Sequence, residues 1–240
     1  MPHSGAQDGE GRELASPLDW RARIESRLAN TRPRHDREDW VAPGLSKQES
    51  RSLQAYFPPS PIPAAVLVPL IEREDELTVL LTQRASQLKN HAGQISFPGG
   101  RIEPEDAGPS AAALREAHEE IGLQAGFVSV VGYLADHILL SGFRVTPVVA
   151  FVRPGFELQL DAQEVEDTFE VPLSHVFEPA NHRVQRRRFG GAAGEVRVWD
   201  IQYEGHNIWG ATAGMLLNLY RLCVSADPAT VQELAGLRDE

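Results

Sequence analysis

Residues 106–123 read DAGPSAAALREAHEEIGL, and this stretch predicts a single helix at about 109–121. Pro109 or Ser110 suits the first turn, where a helix has no use for one of its backbone N–H groups. Gly122 suits the position after the last turn, which commonly adopts the left-handed conformation that glycine tolerates. Both ends of one helix are therefore marked in the sequence, and the rest of the chain can be placed around it.

This helix would carry acidic and apolar side chains on opposite faces. At about 100° per residue, the acidic face groups Glu116, Glu119 and Glu120 within an arc of roughly 100°. The apolar face groups Leu114, Ala117 and Ile121. Three neighbouring carboxylates repel one another, and a bound divalent cation removes that repulsion. Oxygen ligands at this spacing favour Mg²⁺ or Mn²⁺ over zinc.

An ordinary solvated helix also carries glutamates, so the helix alone does not establish a site. A second feature lies just upstream, the glycine-rich bend FPGG at 97–100. Glycines allow a backbone to approach a phosphate, or the helix that bears the carboxylates, at close range. Arg115 lies beside the glutamates and can pair with Glu119 four residues later. Together these features favour a metal site directed at a phosphate.

Apolar runs predict a sheet around this helix. Residues 64–71 and 77–84 flank an acidic turn and predict a hairpin. The further strands and helices are predicted at 127–135, 143–152, 195–203, 211–224 and from Pro228 onward. Strands that enclose a central helix, with other helices outside them, indicate an α/β fold with a mixed sheet.

The composition is that of a globular protein, and it narrows the function. The 240 residues carry 23 basic and 34 acidic side chains, and the net charge of −11 disfavours a nucleic-acid partner. No apolar run is long enough to span a membrane, and the N-terminus has no apolar leader. The single cysteine, Cys223, excludes an internal disulfide and a thiolate zinc site. We therefore expect a cytoplasmic protein with no membrane partner.

Three segments are expected along the chain. Residues 1–60 form an N-terminal extension, disordered up to residue 16 and then helical, with Leu18, Ile24 and Leu28 on one face. Residues 61–226 form the main domain, and residues 227–240 form a C-terminal tail helix. A solvated helix and linker is the favoured interpretation of the extension. A docking or dimerising extension, and hence a homodimer, is the alternative.

The helix and its surroundings resemble the Nudix box, whose pattern is G-x5-E-x7-R-E-U-x-E-E-x-G-U. The matching residues are Gly100, Asp106, Arg115, Glu116, Glu119, Glu120, Gly122 and Leu123. Asp106 replaces the usual glutamate, and one extra residue separates it from Arg115. The resemblance implies a Nudix-type α/β/α sandwich with a mixed sheet, in which a loop–helix–loop holds divalent metal ions. Glu103 and Asp106 are weaker candidates for metal binding.

The preceding residues, LLTQRASQLKNHAGQISFPGG at 80–100, resemble the additional signature of the coenzyme A pyrophosphatase branch of the Nudix hydrolases. Its pattern is L-L-T-x-R-[SA]-x3-R-x3-G-x3-F-P-G-G, and Lys89 departs from it by replacing an arginine. The resemblance implies hydrolysis of coenzyme A or acyl-coenzyme A to 3′,5′-ADP and a 4′-phosphopantetheine. The implied substrate contacts are Arg84, Lys89, His91, Phe97, Gly99 and Gly100. For His91, a polar turn residue is an equally good interpretation.

The resemblance also implies roles for the acidic residues. Glu116 and Glu120 are expected to bind Mg²⁺ or Mn²⁺ directly, with Glu119 as a third ligand or as the general base. Arg115 is expected to hold these carboxylates in place. Glu164, in a later loop, is a second candidate for the base.

Other functions remain open at this point. A Nudix hydrolase of another nucleoside diphosphate derivative, such as ADP-ribose or NADH, would carry the same box. A non-catalytic Nudix module could bind a nucleotide, although the intact R-E-x-x-E-E sequence argues against it. RNA decapping is disfavoured by the acidic charge. The profile of substrates cleaved would distinguish these functions.

Overall fold

The computed structural model describes residues 17–33, 60–88, 91–188 and 195–234. Its strands are β1 (Ile62–Glu72), β2 (Leu77–Arg84), β3 (Ile95–Ser96), β4 (Gly99–Arg101), β5 (Val128–Tyr133), β6 (His137–Ile138), β7 (Phe143–Val152), β8 (Val165–Pro172), β9 (Arg183–Arg188), β10 (Glu195–Tyr203) and β11 (His206–Trp209). Its α-helices are α1 (Pro17–Leu28), α2 (Pro109–Ile121), α3 (Leu173–Val176), α4 (Ala211–Val224) and α5 (Pro228–Leu234). The expected disorder of residues 1–16 and the predicted substrate contact Lys89 lie outside these described residues.

A long parallel pair forms the centre of the larger sheet. Strand β1 pairs with β7 in parallel, from Ile62 opposite Phe143 to Ile71 opposite Val152. Strands β2 and β5 extend this pair on either side, and both are antiparallel to their neighbours. Strand β8 pairs with β2 on the far side, and the short β4 pairs with β1. The sheet is therefore mixed, as the sequence predicted.

Each face of this sheet is covered by helices. Alternate residues of β1 point to opposite faces, so Ala65 and Leu67 lie in one apolar cluster while Ala64 and Val68 lie in the other. Helix α2 packs on the first face, and helices α1 and α4 contribute to the cluster on the second. This three-layer arrangement confirms the expected α/β/α sandwich. No helix in the described part of the chain has both the length and the apolar character needed to span a membrane.

Most of the longer predicted elements are confirmed. The hairpin of β1 and β2, the strands β5, β7 and β10, and the helices α2 and α4 all lie where the apolar patterns indicated. Strand β8 was not predicted. Half of the residues in its sequence, VEDTFEVP, are polar, and it gains its strand conformation by pairing with β2 rather than by burying an apolar run. Such tertiary pairing leaves little signal in a local pattern.

The N-terminal extension contributes to the core. In α1, Ile24 and Leu28 are fully buried, as their predicted shared face required, whereas the side chain of Leu18 lies outside the described residues. Thr31, just after the helix, accepts a hydrogen bond at its Oγ1 from the backbone N–H of Tyr133, at 2.7 Å. The boundary expected at residue 60 therefore separates two stretches of sequence that share one apolar core.

The packing of α1 leads to a prediction about stability. Leu28→Ala removes a fully buried side chain from the core beneath α1, so we expect the free energy of unfolding to fall by about 2–4 kcal/mol. Ser26→Ala, at an exposed position of the same helix, should change it by less than about 0.5 kcal/mol. Urea unfolding of both variants measures the difference. Equal unfolding midpoints would show that α1 adds nothing to the stability of the domain.

Candidate active site

The predicted acidic helix and the predicted glycine bend come into direct contact. Gly99 and Gly100 form most of β4, and α2 packs against this strand. An ideal Cβ on Gly100 would overlap the carboxylate of Glu116, with its Oε2 at 2.6 Å. A Cβ on Gly99 would lie 2.6 Å from the Cα of Val66 in the neighbouring β1. The space that a side chain would fill at residue 100 is therefore occupied by a carboxylate of α2.

Glu120 is a buried carboxylate at this contact. The residue is only 4% exposed, and its Oε2 accepts a hydrogen bond from the backbone N–H of Gly99 at 3.1 Å. Burial raises the pKa of Glu120 to about 8, against the opposing effects of this hydrogen bond and of the Arg84 charge. The nearby charges of Glu116 and Glu164 raise the pKa of Glu120 further. A cation placed here would favour the charged form of the carboxylate.

Glu116 lies one helical turn before Glu120 on the same side of α2. Burial raises the pKa of Glu116, and the hydrogen bond and charge of Arg115 act in the opposite direction. The charges of Glu119 and Glu164 add to the rise in the pKa of Glu116. Glu116 and Glu120 thus face the same small region beside β4, and each makes ionisation of the other less favourable.

Arg115 is held by a complete set of hydrogen bonds. Its Nε and Nη2 donate to the two oxygens of Asp106, at 3.1 and 3.0 Å, and Nη2 also donates to the carbonyl of Arg101. Its Nη1 donates to Glu116 and to Glu119, both at 3.0 Å. A guanidinium has five N–H donors, and these five bonds use them all. The predicted role of Arg115 in orienting carboxylates agrees with this geometry.

Asp106 is a partner of Arg115 rather than a free ligand in this arrangement. Both of its oxygens accept from Arg115, and Oδ2 also accepts from the backbone N–H of Glu103 at 2.8 Å. The hydrogen bond and charge of Arg115 hold the pKa of Asp106 below its usual range, against a smaller effect of burial. The weaker expectation that Asp106 binds metal therefore finds no support in its contacts.

The three helix carboxylates predicted to converge have different surroundings in the structure. The Glu119 side chain is 56% exposed and is turned toward Arg115, whereas Glu120 is buried on the other side of Glu116. One Arg115 nitrogen is shared between Glu116 and Glu119, and this bond keeps Glu119 at the rim. The charge of Glu119 raises the pKa of Glu116, whereas the charge of Glu164 raises the pKa of both Glu116 and Glu120.

Glu164 lies near this region because its loop is hydrogen bonded to the residue after β2 and to the C-terminal end of α2. It lies immediately before β8, and its carbonyl accepts a hydrogen bond from the backbone N–H of Ala85 at 2.8 Å. Ala85 follows the last residue of β2, where the pairing of β2 and β8 shifts register. The sequence marked Glu164 as a candidate, and this non-local pairing is what brings it near α2.

Arg84, the last residue of β2, points toward the buried carboxylate. Its Nη1 lies 4.0 Å from Oε1 of Glu120. Its Nε is buried and has no hydrogen-bond partner among the described residues. Buried donors are rarely left without a partner, so an anionic group bound beside Glu120 would complete the bonding of this guanidinium.

Two other predicted substrate contacts lie in different surroundings. His91 is an exposed turn residue with φ of 57°, and its Nδ1 is 2.9 Å from the side-chain oxygen of Gln94. This geometry agrees with the interpretation of His91 as a polar turn residue. Phe97 is buried within the larger apolar cluster. Its side chain is 4% exposed and contributes to apolar packing, and its contact with a ligand stays a prediction.

The residues at this site fit a magnesium-type cation. Within the described ranges, no group of three or more histidine, cysteine, aspartate or glutamate side chains could hold a metal ion unaided. Mg²⁺ commonly binds only one or two protein carboxylates and takes its other ligands from water and from substrate phosphates. Glu116 and Glu120 supply such a pair, and the missing side chain of Gly100 leaves room for it.

Comparison with known proteins shows what this chain is similar to. The NUDIX domain family model matches residues 61–190. The uncharacterized Nudix hydrolase NudL of Enterobacter sp. (strain 638) is 40% identical over 159 residues, which cover 65% of this chain and 80% of that protein. NudL of Escherichia coli (strain K12 / DH10B) is 40% identical over 157 residues, with the same two coverages. A Nudix hydrolase from M. smegmatis, RenU, has a TM-score of 0.42 at 25% identity, over 48% of this chain and 73% of that one.

The contact between Gly100 and Glu116 predicts a strong effect of a small substitution. Gly100→Ala places a Cβ into the Glu116 carboxylate, so we expect Mn²⁺ affinity to fall about tenfold or more while the fold is retained. Gly126→Ala is the matched control, because a Cβ there meets no atom within 4 Å. Titration calorimetry with Mn²⁺ and circular dichroism measure the two effects. Equal affinities in the two variants would separate Gly100 from the metal site.

The raised pKa of Glu120 predicts how the stability of the metal-free protein depends on pH. The unfolded chain loses this proton near pH 4.5 and the folded chain near pH 8, so burial of Glu120 costs stability as the pH rises between those values. A tenfold difference in proton affinity between the two states is worth about 1.4 kcal/mol, so we expect a loss of a few kcal/mol relative to Glu120→Gln. Thermal unfolding in EDTA from pH 5 to pH 8.5 tests this. A constant difference between the two proteins would contradict it.

Proposed function

This chain belongs to the Nudix hydrolase family, and we propose that it hydrolyses the diphosphate linkage of coenzyme A and acyl-coenzyme A. The products would be 3′,5′-ADP and the corresponding 4′-phosphopantetheine. Members of this family act on pyrophosphate bonds in nucleoside diphosphate derivatives, and the coenzyme A substrate is the more specific part of the proposal.

The arrangement of Glu116, Glu120 and Arg84 carries this proposal. Two carboxylates face one region beside β4. The Arg84 guanidinium lies 4.0 Å from one of them, and its buried Nε has no hydrogen-bond partner in the part of the chain that the structure describes. The carboxylates can bind a metal ion, and the guanidinium can bind a phosphate. A site that has both groups is complementary to a metal-bound diphosphate. The Arg84 guanidinium would bind a phosphate oxygen, and the backbone of β4 would lie beside the bound diphosphate.

Glu116 and Glu120 would hold Mg²⁺ or Mn²⁺. When bound, such an ion neutralises the charge of the diphosphate and lowers the pKa of a coordinated water. Arg115 keeps Glu116 oriented, and Gly99 keeps Glu120 oriented through its backbone N–H. Because these four groups are fixed before substrate arrives, little reorganisation is needed during the reaction.

Glu164 is our candidate for the general base that accepts a proton from the attacking water. It is exposed at the end of its loop, and its charge raises the pKa of both Glu116 and Glu120. Glu119, the other candidate, already shares a hydrogen bond with Arg115, and that bond would have to break. A general base must also lie within hydrogen-bond reach of the water, and Glu164 is close enough to both Glu116 and Glu120 for its charge to raise their pKa values.

The choice of coenzyme A is supported by the signature that precedes the box. Arg84 and the glycine bend belong to that signature, and both lie at the site. Lys89 belongs to it as well, outside the described residues, and would add a charge without the bidentate fork of arginine. The relatives named NudL carry no substrate in their names, so substrate profiling is the test that distinguishes coenzyme A from other nucleotides.

We expect the protein with Mg²⁺ or Mn²⁺ to cleave coenzyme A and acetyl-coenzyme A with a higher kcat/KM than NADH, ADP-ribose or capped RNA. Chromatography of the products should give 3′,5′-ADP from coenzyme A. Faster cleavage of ADP-ribose or NADH would replace the proposed substrate while keeping the hydrolase. Absence of cleavage across the panel would favour a binding module without activity.

Three variants connect this activity to the site. Glu120→Gln should lower kcat about 100-fold or more, because it removes a charged ligand. Arg84→Gln should raise KM about tenfold, because it removes a charge-assisted hydrogen bond to phosphate. His118→Gln, on an exposed position of the same helix, should match the wild type. A wild-type kcat in Glu120→Gln would discard the assignment of the metal site.

A further inference from the structure

The turn formed by residues 161–164 connects the buried carboxylate of the site to the proposed base. The backbone N–H of Asp161 donates to the carbonyl of Glu120, at 2.9 Å. The carbonyl of Asp161 accepts hydrogen bonds from the backbone N–H groups of Glu164 and Val165, at 2.9 and 2.8 Å. One residue therefore bonds directly to Glu120 on one side and to Glu164 on the other.

The side chain of Asp161 closes the same turn. Its Oδ1 accepts a hydrogen bond from the backbone N–H of Gln163 at 2.9 Å, two residues along the chain. This is the geometry of an Asx turn, in which a short side chain replaces a backbone acceptor and restricts the turn. The carboxylate itself is on an exposed residue, so its bond acts on the shape of the loop and not on the apolar core.

The turn is also bonded to the residues that follow β2. The N–H of Ala85 donates to the carbonyl of Glu164 at 2.8 Å, and the Gln87 side chain donates to the carbonyl of Ala162 at 2.8 Å. Both backbone polar groups of Glu164 are therefore hydrogen bonded. Its Cα is held in place, and the reach of its carboxylate is set by its own side-chain torsions.

The end of α2 is shaped to accept this loop. Gly122 has φ of 70°, and a Cβ there would lie 2.9 Å from the backbone nitrogen of Gln159. Without that Cβ, Gln159 donates its N–H to the carbonyl of Ile121 at 2.9 Å, one residue after the bond from Asp161 to Glu120. Two consecutive carbonyls at the end of the helix thus hold the loop that carries Glu164.

We propose that Asp161 is a positioning residue, which holds Glu164 at a fixed place relative to Glu120 through its Asx turn. The inference rests on the proposed function, since it needs Glu164 to act on substrate. Its physical basis is that catalysis depends steeply on the placement of a base, so a turn that fixes the base raises kcat without touching substrate. Loss of the turn should then lower kcat and leave KM almost unchanged.

The test uses five variants of the full chain: Asp161→Ala, Asp161→Asn, Glu164→Gln, the double variant Asp161→Ala with Glu164→Gln, and Asp167→Ala. Asn keeps the Oδ1 acceptor and loses the charge. Asp167 is the matched control, because its Oδ1 also accepts from a neighbouring backbone N–H, that of Thr168, at 2.8 Å on an exposed residue. The substrate is the nucleotide of the panel that the wild type cleaves fastest with Mg²⁺.

We expect Asp161→Ala to lower kcat about tenfold with KM within about twofold, and Asp161→Asn and Asp167→Ala to stay near the wild type. In the double variant, Asp161→Ala should cause no loss beyond that of Glu164→Gln, because both changes remove one function. Hydrogen exchange at residues 163 and 164 should accelerate in the two variants that carry Asp161→Ala and not in the other three.

Several results would overturn the inference. A wild-type kcat in Asp161→Ala, an Asp161→Asn variant as impaired as the alanine variant, or losses that add in the double variant would each do so. So would a Glu164→Gln variant that retains full activity, because the turn would then position no base. A wild type that cleaves no nucleotide of the panel would instead refute the proposed function, and this inference with it.

Discussion

The site depends on the close approach of helix α2 to the two glycines of β4. Helix α2 can bring Glu116 against β4 only because residue 100 is a glycine, and β4 can approach β1 closely only because residue 99 is a glycine. A larger residue at position 100 would occupy the space of the Glu116 carboxylate. The apolar face of α2 packs on the sheet behind this contact. Burial of this face stabilises the position of the helix in which its carboxylates lie next to the strand.

Burying these carboxylates costs stability, and the surroundings offset only part of that cost. Burial raises the pKa of both Glu116 and Glu120, while Arg115 favours the charge of the first and Gly99 and Arg84 favour that of the second. Arg115 is in turn fixed by the two oxygens of Asp106. A divalent cation would remove the remaining cost, so the two carboxylates that destabilise the metal-free protein are the ones proposed to hold the metal ion.

The helices and the longer strands could be predicted from local patterns, since each buries an apolar face with a period of its own. Helix α2 begins at Pro109 and is followed by Gly122, as the two residues indicated. Strand β8 could not be predicted from a local apolar pattern, because its pairing with β2 decides its conformation. In the site, the sequence predicted the pairing of Arg115 with Glu119, but it did not predict that Glu119 would be exposed while Glu120 is buried.

By itself, the sequence determined the acidic helix, the glycine bend before it and the family to which the chain belongs, because these are patterns within about forty consecutive residues. Only the tertiary structure decided that Glu164 joins Glu116 and Glu120, that the Arg84 Nε stands buried without a partner among the described residues, and that α1 completes the core. These relations join residues far apart in the chain. They depend on how strands pair and on which atoms are removed from water, and neither is encoded in a local pattern.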